Sequence, residues 1–146
     1  MSTRAPTISP RTWVRIALGY PIVVSAQIGV WALFAPRSFY DDFPGFGRAW
    51  VAVDGPFNEH LIRDVGALNL ALVTLMAFAA VRMSRDLVLV TGAATLVWGV
   101  VHACYHMLNT DGLDGGDLAA SLGGLTLFAL LGGGLVGFAR SGAIEQ

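Results

Sequence analysis

The sequence contains no lysine, a single cysteine and few charged residues of either sign. One cysteine, Cys104, excludes an internal disulfide and any CxxC-type metal or redox motif. Charged residues make up 13% of the chain, about half the share of roughly 25% that soluble domains carry. The formal net charge is −1 and no basic run occurs, so we expect no nucleic-acid partner.

Apolar residues dominate instead, at 55% of the 146 residues. Four apolar runs without formal charge cover residues 16–34, 65–81, 87–107 and 118–139. Each is close to the roughly 17–25 residues that a helix needs to cross about 30 Å of hydrocarbon. We therefore predict an all-α fold, a four-transmembrane-helix bundle with the lipid bilayer as its main partner. The predicted helices cover about 12–35, 57–82, 85–108 and 117–140.

These helices form one predicted membrane domain, residues 11–140, between two cytoplasmic tails. The polar segment 1–10 is predicted to be disordered, and 141–146 is the second tail. The first apolar run begins like a secretory signal, because Arg11 and Arg15 precede it and small residues follow at 24–26. The run continues through "QIGVWALF", which makes it long enough to span. We predict that it is retained as a helix.

The arginines predict the orientation of the helices. Six of the nine lie at one end of the predicted bundle: Arg4, Arg11, Arg15, Arg82, Arg85 and Arg140. The other end receives Arg37 and Arg48 together with seven acidic residues: Asp41, Asp42, Asp54, Glu59, Asp111, Asp114 and Asp117. By the positive-inside rule the arginine-rich end is cytoplasmic. The prediction is a multipass protein of the cell membrane with both termini inside and an acidic external face.

The connection between the first two helices, residues 35–57, is long and rich in aromatic residues. We predict a long external loop there. Aromatic residues are typical of membrane interfaces, and a cap over the bundle is the alternative arrangement. The aromatic residues of this connection are Phe39, Tyr40, Phe43, Phe46, Trp50 and Phe57.

Two sequence features concern how the helices pack. Gln27 lies within the first apolar run, where an amide is costly in lipid, so we predict that it faces the bundle. The fourth predicted helix contains five glycines, which allow neighbouring helices to approach closely and make a homo-oligomer a candidate assembly. They are Gly123, Gly124, Gly132, Gly133 and Gly134.

All three histidines lie near the predicted external ends of helices. His60 and Asp64 are four residues apart at the start of the second helix, as are His102 and His106 at the end of the third, so each pair shares a helix face. The short connection near Ser84 makes these helices antiparallel neighbours. At about 1.5 Å per residue the four side chains then fall within about 9 Å of one another in depth. We predict a metal site formed by His60, Asp64, His102 and His106, since facing pairs build such sites in helical bundles.

Three imidazoles and a carboxylate suit zinc, iron, copper or manganese, and the set alone does not choose among them. In an enzyme, the metal would activate water or dioxygen toward a lipophilic small molecule that enters beneath the aromatic loop. Glu59 is then the nearest candidate catalytic proton acceptor. The sequence leaves open whether the protein is an enzyme at all.

Structural alternatives exist for each of these residues. The histidines are then solvated helix ends, and Asp64 pairs with Arg48 or Arg37. Glu59 and Arg63 have the acid-first spacing of a helical ion pair. On this interpretation the protein is a non-catalytic accessory or scaffold subunit of the membrane.

A bound haem and a calcium loop are less favoured. A haem would take His60 from one side and His102 or His106 from the other, which leaves one histidine unused. The aspartates of "DGLDGGD" recur every three residues among glycines. This pattern is typical of turns and a helix cap, whereas a calcium loop has alternating ligands.

Two blocks, "SFYDDFPGFGRAWVAVDGPFNEHLIRDVGALNLAL" and "VHACYHMLNTDGL", give the chain a family resemblance over about residues 35–117. It resembles small four-helix integral membrane proteins of actinobacterial type that are described as DoxX-like. The resemblance implies a four-helix membrane fold. Quinone-coupled sulfur oxidation is attributed to better-studied members, but this chain has neither a second cysteine nor a flavin motif. That activity is therefore not carried over.

Overall fold

The computed structural model describes residues 9–142, and these are almost entirely helical. The helices are α1 (Pro10–Phe34), α2 (Pro36–Asp42), α3 (Glu59–Arg82), α4 (Arg85–Leu108) and α5 (Gly115–Arg140). Strands β1 (Pro44–Gly45) and β2 (Arg48–Ala49) form a small antiparallel hairpin, followed by a 3-10 turn at Ala52–Asp54. Four helices, α1, α3, α4 and α5, are long and apolar enough to cross a membrane, which indicates a multipass membrane protein. Most of the two predicted tails, at 1–8 and 143–146, lies outside the described residues.

Side-chain caps mark where three of the four spanning helices begin. On α1, the Ser9 hydroxyl accepts from the backbone N–H of Thr12 at 3.2 Å. The Asn58 side chain accepts a hydrogen bond from the backbone N–H of Leu61 at 3.1 Å, which caps α3. The Asp114 carboxylate accepts from the backbone N–H of Asp117 at 2.7 Å and caps α5. The cap predicted from the aspartate-rich turn is thus confirmed. The helix begins two residues earlier than predicted, because Asp114 rather than Asp117 is the capping residue.

Helices α1 and α3 pack against each other through glycines. A Cβ atom on Gly66 would lie 2.6 Å from the backbone nitrogen of Leu33, and one on Gly29 would lie 3.2 Å from the carbonyl oxygen of Gly66. Any larger residue at Gly66 would therefore force the two backbones apart. Close contact at small residues is how helices gain packing energy in lipid, where no hydrophobic effect draws them together.

Helices α4 and α5 form a second close pair by the same device. A Cβ atom on Gly99 would lie 2.6 Å from the backbone nitrogen of Ala129, and one on Gly92 would lie 2.8 Å from Cβ of Leu135. The contacts between α3 and α4 are far fewer than those within each pair. The bundle is therefore built from two helix pairs, α1 with α3 and α4 with α5, joined by the short turn at Met83 and Ser84.

The main apolar core lies toward the arginine-rich end of the bundle. Its fully buried members include Leu18 of α1, Met76 of α3, Val88 of α4 and Leu135 of α5. A smaller cluster occupies the opposite end, which we call the acidic end, around Ala32, Phe39 and Ile62. Among the described residues, the acidic ends of α4 and α5 have no apolar cluster of this kind. The polar side chains of His106 and Ser121 are buried there instead.

The predicted long aromatic loop is not observed. Residues 36–54, which we call the cap, instead form α2, the hairpin and the 3-10 turn over the acidic end. Phe39 is buried and packs edge-on against Trp31 and at 4.8 Å from Phe43, measured between ring centroids. Phe46, at the hairpin tip, is fully exposed. The local sequence is compatible with this arrangement, since Pro36 favours a helix start and Gly45 and Gly47 take the positive φ angles of a tight turn.

Candidate metal centre

The acidic end of α4 carries two histidines in direct contact. The Nε2 atoms of His102 and His106 lie 3.1 Å apart, and their rings stack with centroids 4.9 Å apart and an interplanar angle of 23°. His106 is only 8% exposed because it continues the face of α4 that begins with Gly99 and Ala103, which is buried. The predicted sharing of one helix face by these two histidines is confirmed.

Aromatic rings hold the histidine pair on both sides. Trp98 packs edge-on against the ring of His102 with centroids 4.8 Å apart, and Tyr105 packs edge-on against His106 at 5.4 Å. Trp98 also contacts the main apolar core. The imidazoles are thereby fixed in position by packing, which is a requirement for a preorganised ligand pair.

The remaining ring nitrogens of the pair are buried without partners. Neither Nδ1 of His102 nor Nδ1 of His106 has a hydrogen bond to any described residue, and both atoms are inaccessible. The 3.1 Å contact between the Nε2 atoms requires one imidazole to donate and the other to accept. The rings then carry opposite tautomers, with one buried N–H and one buried lone pair left unsatisfied. Such unpaired groups cost about 1–3 kcal/mol each.

His60 and Asp64 form a separate pair on α3. His60 Nε2 lies 3.4 Å from a carboxylate oxygen of Asp64, and the two side chains are 87% and 55% exposed. They share an outward face with Leu68, which is also exposed. The opposite face of α3, which carries Ile62 and Gly66, packs on α1.

The structure therefore holds two separate pairs, His60 with Asp64 and His102 with His106, rather than one group of four ligands. Within residues 9–142, no three histidine, cysteine, aspartate or glutamate side chains converge as a metal-holding group. The short turn between α3 and α4 determines how deep each side chain lies along its helix. The direction in which a side chain points depends on the rotation of the helix, and this rotation depends on the helix against which it packs. Since α3 packs mainly on α1, His60 and Asp64 lie on an exposed face of α3. The four-ligand site stays a prediction.

Glu59, the predicted proton acceptor, is engaged by Arg63. A guanidinium nitrogen of Arg63 lies 2.8 Å from the Glu59 carboxylate, and the same guanidinium donates to the backbone carbonyl of Leu33. The predicted ion pair between Glu59 and Arg63 is thus confirmed. It ties the start of α3 to the end of α1.

Neither alternative partner predicted for Asp64 is observed. Arg37 binds Asp41 at 2.7 Å within α2, whereas Arg48 of β2 binds Asp117 in the first turn of α5. The Arg48–Asp117 ion pair links the cap to the α4–α5 pair, and Asp117 is only 16% exposed there. This ion pair was not predicted from the sequence. Its two signals there were an arginine in the cap and an acidic turn before α5.

An open cavity of about 680 Å³ lies at the start of α3. Tyr40, Pro56, Phe57, Glu59 and His60 are among its lining residues. The two histidines of α4 do not line it. The cavity therefore lies between the cap and the start of α3, beside the predicted site residues Glu59 and His60.

Comparison with known proteins leaves the interpretation to this geometry. No protein-family profile, curated protein or solved structure matches the chain.

Proposed function

We propose that this multipass membrane protein binds a transition-metal ion at its acidic end, with His102 and His106 as the first two ligands. The observation that carries the proposal is the 3.1 Å separation of their Nε2 atoms. With metal–nitrogen bonds of about 2.0–2.1 Å, this separation corresponds to a nitrogen–metal–nitrogen angle of about 100°. That angle is near the tetrahedral value, so the pair is already spaced as a chelate.

Metal binding also changes the hydrogen-bonding needs of the pair. Both Nε2 lone pairs go to the metal, so both protons move to the Nδ1 atoms, which are buried. A metal-bound histidine usually donates its second N–H to a carbonyl, a carboxylate or water. Neither Nδ1 has such an acceptor among the described residues, so metal binding would require a rearrangement that supplies one.

His60 and Asp64 are the proposed further ligands. To reach the metal, the acidic end of α3 would have to turn toward α4, which requires loosening its close contact with α1 at Gly66. Zinc, iron, copper and manganese all accept this ligand set. Water would supply any position that α3 leaves open.

As an enzyme, the protein would activate water or dioxygen toward a lipophilic small molecule. The open cavity beside Glu59 and His60 supports an entry route beneath the cap. Glu59 is the proposed proton acceptor, and it would have to leave its ion pair with Arg63 to act.

A non-catalytic accessory subunit is the second candidate function. The observation in its favour is that the acidic side chains of the predicted site already have partners, Arg63 for Glu59 and His60 for Asp64. In such a subunit the polar groups at the acidic end only join helices and cap.

Family and orientation are part of the proposal. We propose a DoxX-like four-helix protein of the cell membrane with both termini in the cytoplasm. The orientation is supported by the common position of five arginines at one end of the bundle: Arg11, Arg15, Arg82, Arg85 and Arg140. A cysteine-labelling scan in which position 114 reacts only from the cytoplasmic side would contradict it.

Elemental analysis of the purified protein in detergent tests the metal proposal. We expect about one equivalent of a transition metal in the wild type and a loss of most of it in the double variant His102→Ala/His106→Ala. The matched control is His60→Ala, which removes an exposed histidine and should weaken binding less. A wild-type content below about 0.2 equivalents, or equal contents in the wild type and the double variant, would exclude the site. A Soret band in the visible spectrum would indicate that the histidines bind haem instead of a metal ion.

A further inference from the structure

Gln27 of α1 is a polar side chain in an unexpected place. It lies five residues beyond the middle of α1, which spans Pro10–Phe34, and so about 7 Å from the helix midpoint. That depth is inside a hydrocarbon layer of about 30 Å. The side chain is exposed on the outer surface of the bundle, which corrects the prediction that it faces the interior. Residues 9–142 provide no hydrogen bond to its amide.

Two other polar side chains of the spanning helices make hydrogen bonds within their own helix. Thr74 is also exposed, but its hydroxyl donates to the carbonyl of Leu70 at 2.9 Å within α3. Asn69 is 3% exposed and donates to the carbonyl of Val65 at 2.9 Å. The amide of Gln27 is thus the one amide that a spanning helix in the described part of the chain turns toward lipid. Leaving it without a partner there is unfavourable.

The exposed residues around Gln27 form a regular stripe along α1, which we call the α1 seam. Its members are Trp13, Ile16, Val23, Gln27, Val30 and Phe34. Their spacings of three, four and seven residues follow the a and d positions of a heptad repeat, with Gln27 at an a position. Tyr20 occupies the remaining position and turns aside, because its hydroxyl donates to the carbonyl of Gly124 in α5 at 3.3 Å.

We propose that the α1 seam pairs with the α1 seam of a second copy of this chain, as a parallel dimer around a two-fold axis. Copies of one chain insert in one orientation, so their α1 helices run parallel, and parallel packing places each a position opposite the same position of its partner. An amide is self-complementary, with an NH₂ donor and a carbonyl acceptor. Each Gln27 can then donate to the other, and both amides are satisfied.

This surface is distinct from the glycine-rich helix, whose glycines made a homo-oligomer a candidate assembly. Gly132 of α5 is occupied by α4, since a Cβ atom there would meet the carbonyl oxygen of Gly92 at 2.9 Å. The α1 seam has no such internal partner, and Val23 and Val30 are 65% and 52% exposed. The dimer would also leave the histidine pair of α4 untouched, so it can be tested independently of metal binding.

Cysteine cross-linking of the full chain in phosphatidylcholine liposomes tests the proposed interface. The background is Cys104→Ser, which removes the native thiol. Val23→Cys and Val30→Cys probe the seam, and Leu68→Cys of α3 and Val97→Cys of α4 are matched controls at 68% and 62% exposure. With a mild oxidant we expect disulfide-linked dimers at the two seam positions and little product at the controls. Equal yields at all four positions, or none at the seam, would overturn the proposal.

Substitution of Gln27 then tests the role of the amide. In the Val23→Cys background, Gln27→Leu should lower the association constant about threefold to thirtyfold, the effect of losing interhelical hydrogen bonds in a membrane. Gln27→Asn keeps the amide and should retain most of the dimer. Helix content from circular dichroism should be equal in all variants. An unchanged dimer yield in Gln27→Leu would overturn the proposal, as would an equal loss in Gln27→Asn.

Discussion

The ends of α3 and α4 carry histidines at the same spacing but in opposite surroundings. His60 and Asp64 are mostly exposed and bind each other. His102 and His106 stack on one another, and His106 is almost completely buried. A spacing of four residues therefore determines which side chains share a helix face, but it does not determine where that face points.

Helix pairing explains the difference. The contact of Gly66 with Leu33 turns the inner face of α3 toward α1, which leaves His60 outside. On α4, Gly99 packs on Ala129, and His106 lies seven residues further along the same buried face. The glycines thus determine the rotation of each helix. Through this rotation they determine the surroundings of His60 on α3 and of His102 and His106 on α4.

The largest expected effect comes from Gly66→Leu, which removes the contact that turns His60 outward. The new side chain would collide with the backbone of Leu33, and overpacking of this kind costs about 1–3 kcal/mol or more. We expect a clear fall in the thermal midpoint in detergent, measured by circular dichroism. Gly134→Leu is the matched control, because nothing lies within 4 Å of a Cβ atom there. Equal stability of the two variants would contradict the glycine contact.

A smaller effect is expected in the chemical reactivity of the histidines at the ends of α3 and α4. Diethyl pyrocarbonate should modify the exposed His60 about tenfold faster than the buried pair of α4, since buried groups react only through local opening. Peptide mass spectrometry measures each site separately. Similar rates at His60 and His106 would show that the acidic end of α4 is open in solution and would remove the contrast between the two ends.

The smallest expected effect concerns the Arg48–Asp117 ion pair, which links the cap to α5. Arg48→Ala should release the cap from α5 and cost about 1 kcal/mol, because Asp117 is partly buried. The reaction of His106 with the same reagent should rise, while that of His60 stays constant. The exchange variant Arg48→Asp/Asp117→Arg should restore the wild-type rate at His106. Unchanged reactivity in Arg48→Ala would mean that the link does not cover the histidine pair.

Much of the fold could be predicted because lipid imposes simple requirements. A segment that crosses hydrocarbon has to satisfy its own backbone hydrogen bonds and be apolar over its whole length. The four runs around α1, α3, α4 and α5 meet both conditions in the sequence itself. The cap could not be predicted in the same way, since Phe39 and Phe43 are ordered by contacts with Trp31 of α1 rather than by a local periodicity.

The candidate site was predictable only within each helix. The contact of His102 with His106 and that of Glu59 with Arg63 follow from local spacing, and both occur. The pairing of Arg48 with Asp117 joins residues 69 positions apart, and no local rule selects it. The partners of Asp64 and the exposure of Gln27 likewise depend on which helices lie next to each other.

The sequence by itself therefore determined the four apolar helices, the arginine-rich end, and the pairing of His60 with Asp64 and of His102 with His106. Each of these depends on composition or on spacing within one helix. Only the tertiary structure decided that α1 pairs with α3 and α4 with α5, that His106 is buried while His60 is exposed, and that Gln27 lies on the outer surface of the bundle. The physical reason is that the rotation of a helix about its axis depends on where two backbones can approach most closely. That position is chosen jointly by small residues on two different helices, such as Gly66 of α3 against α1 and Gly99 of α4 against α5.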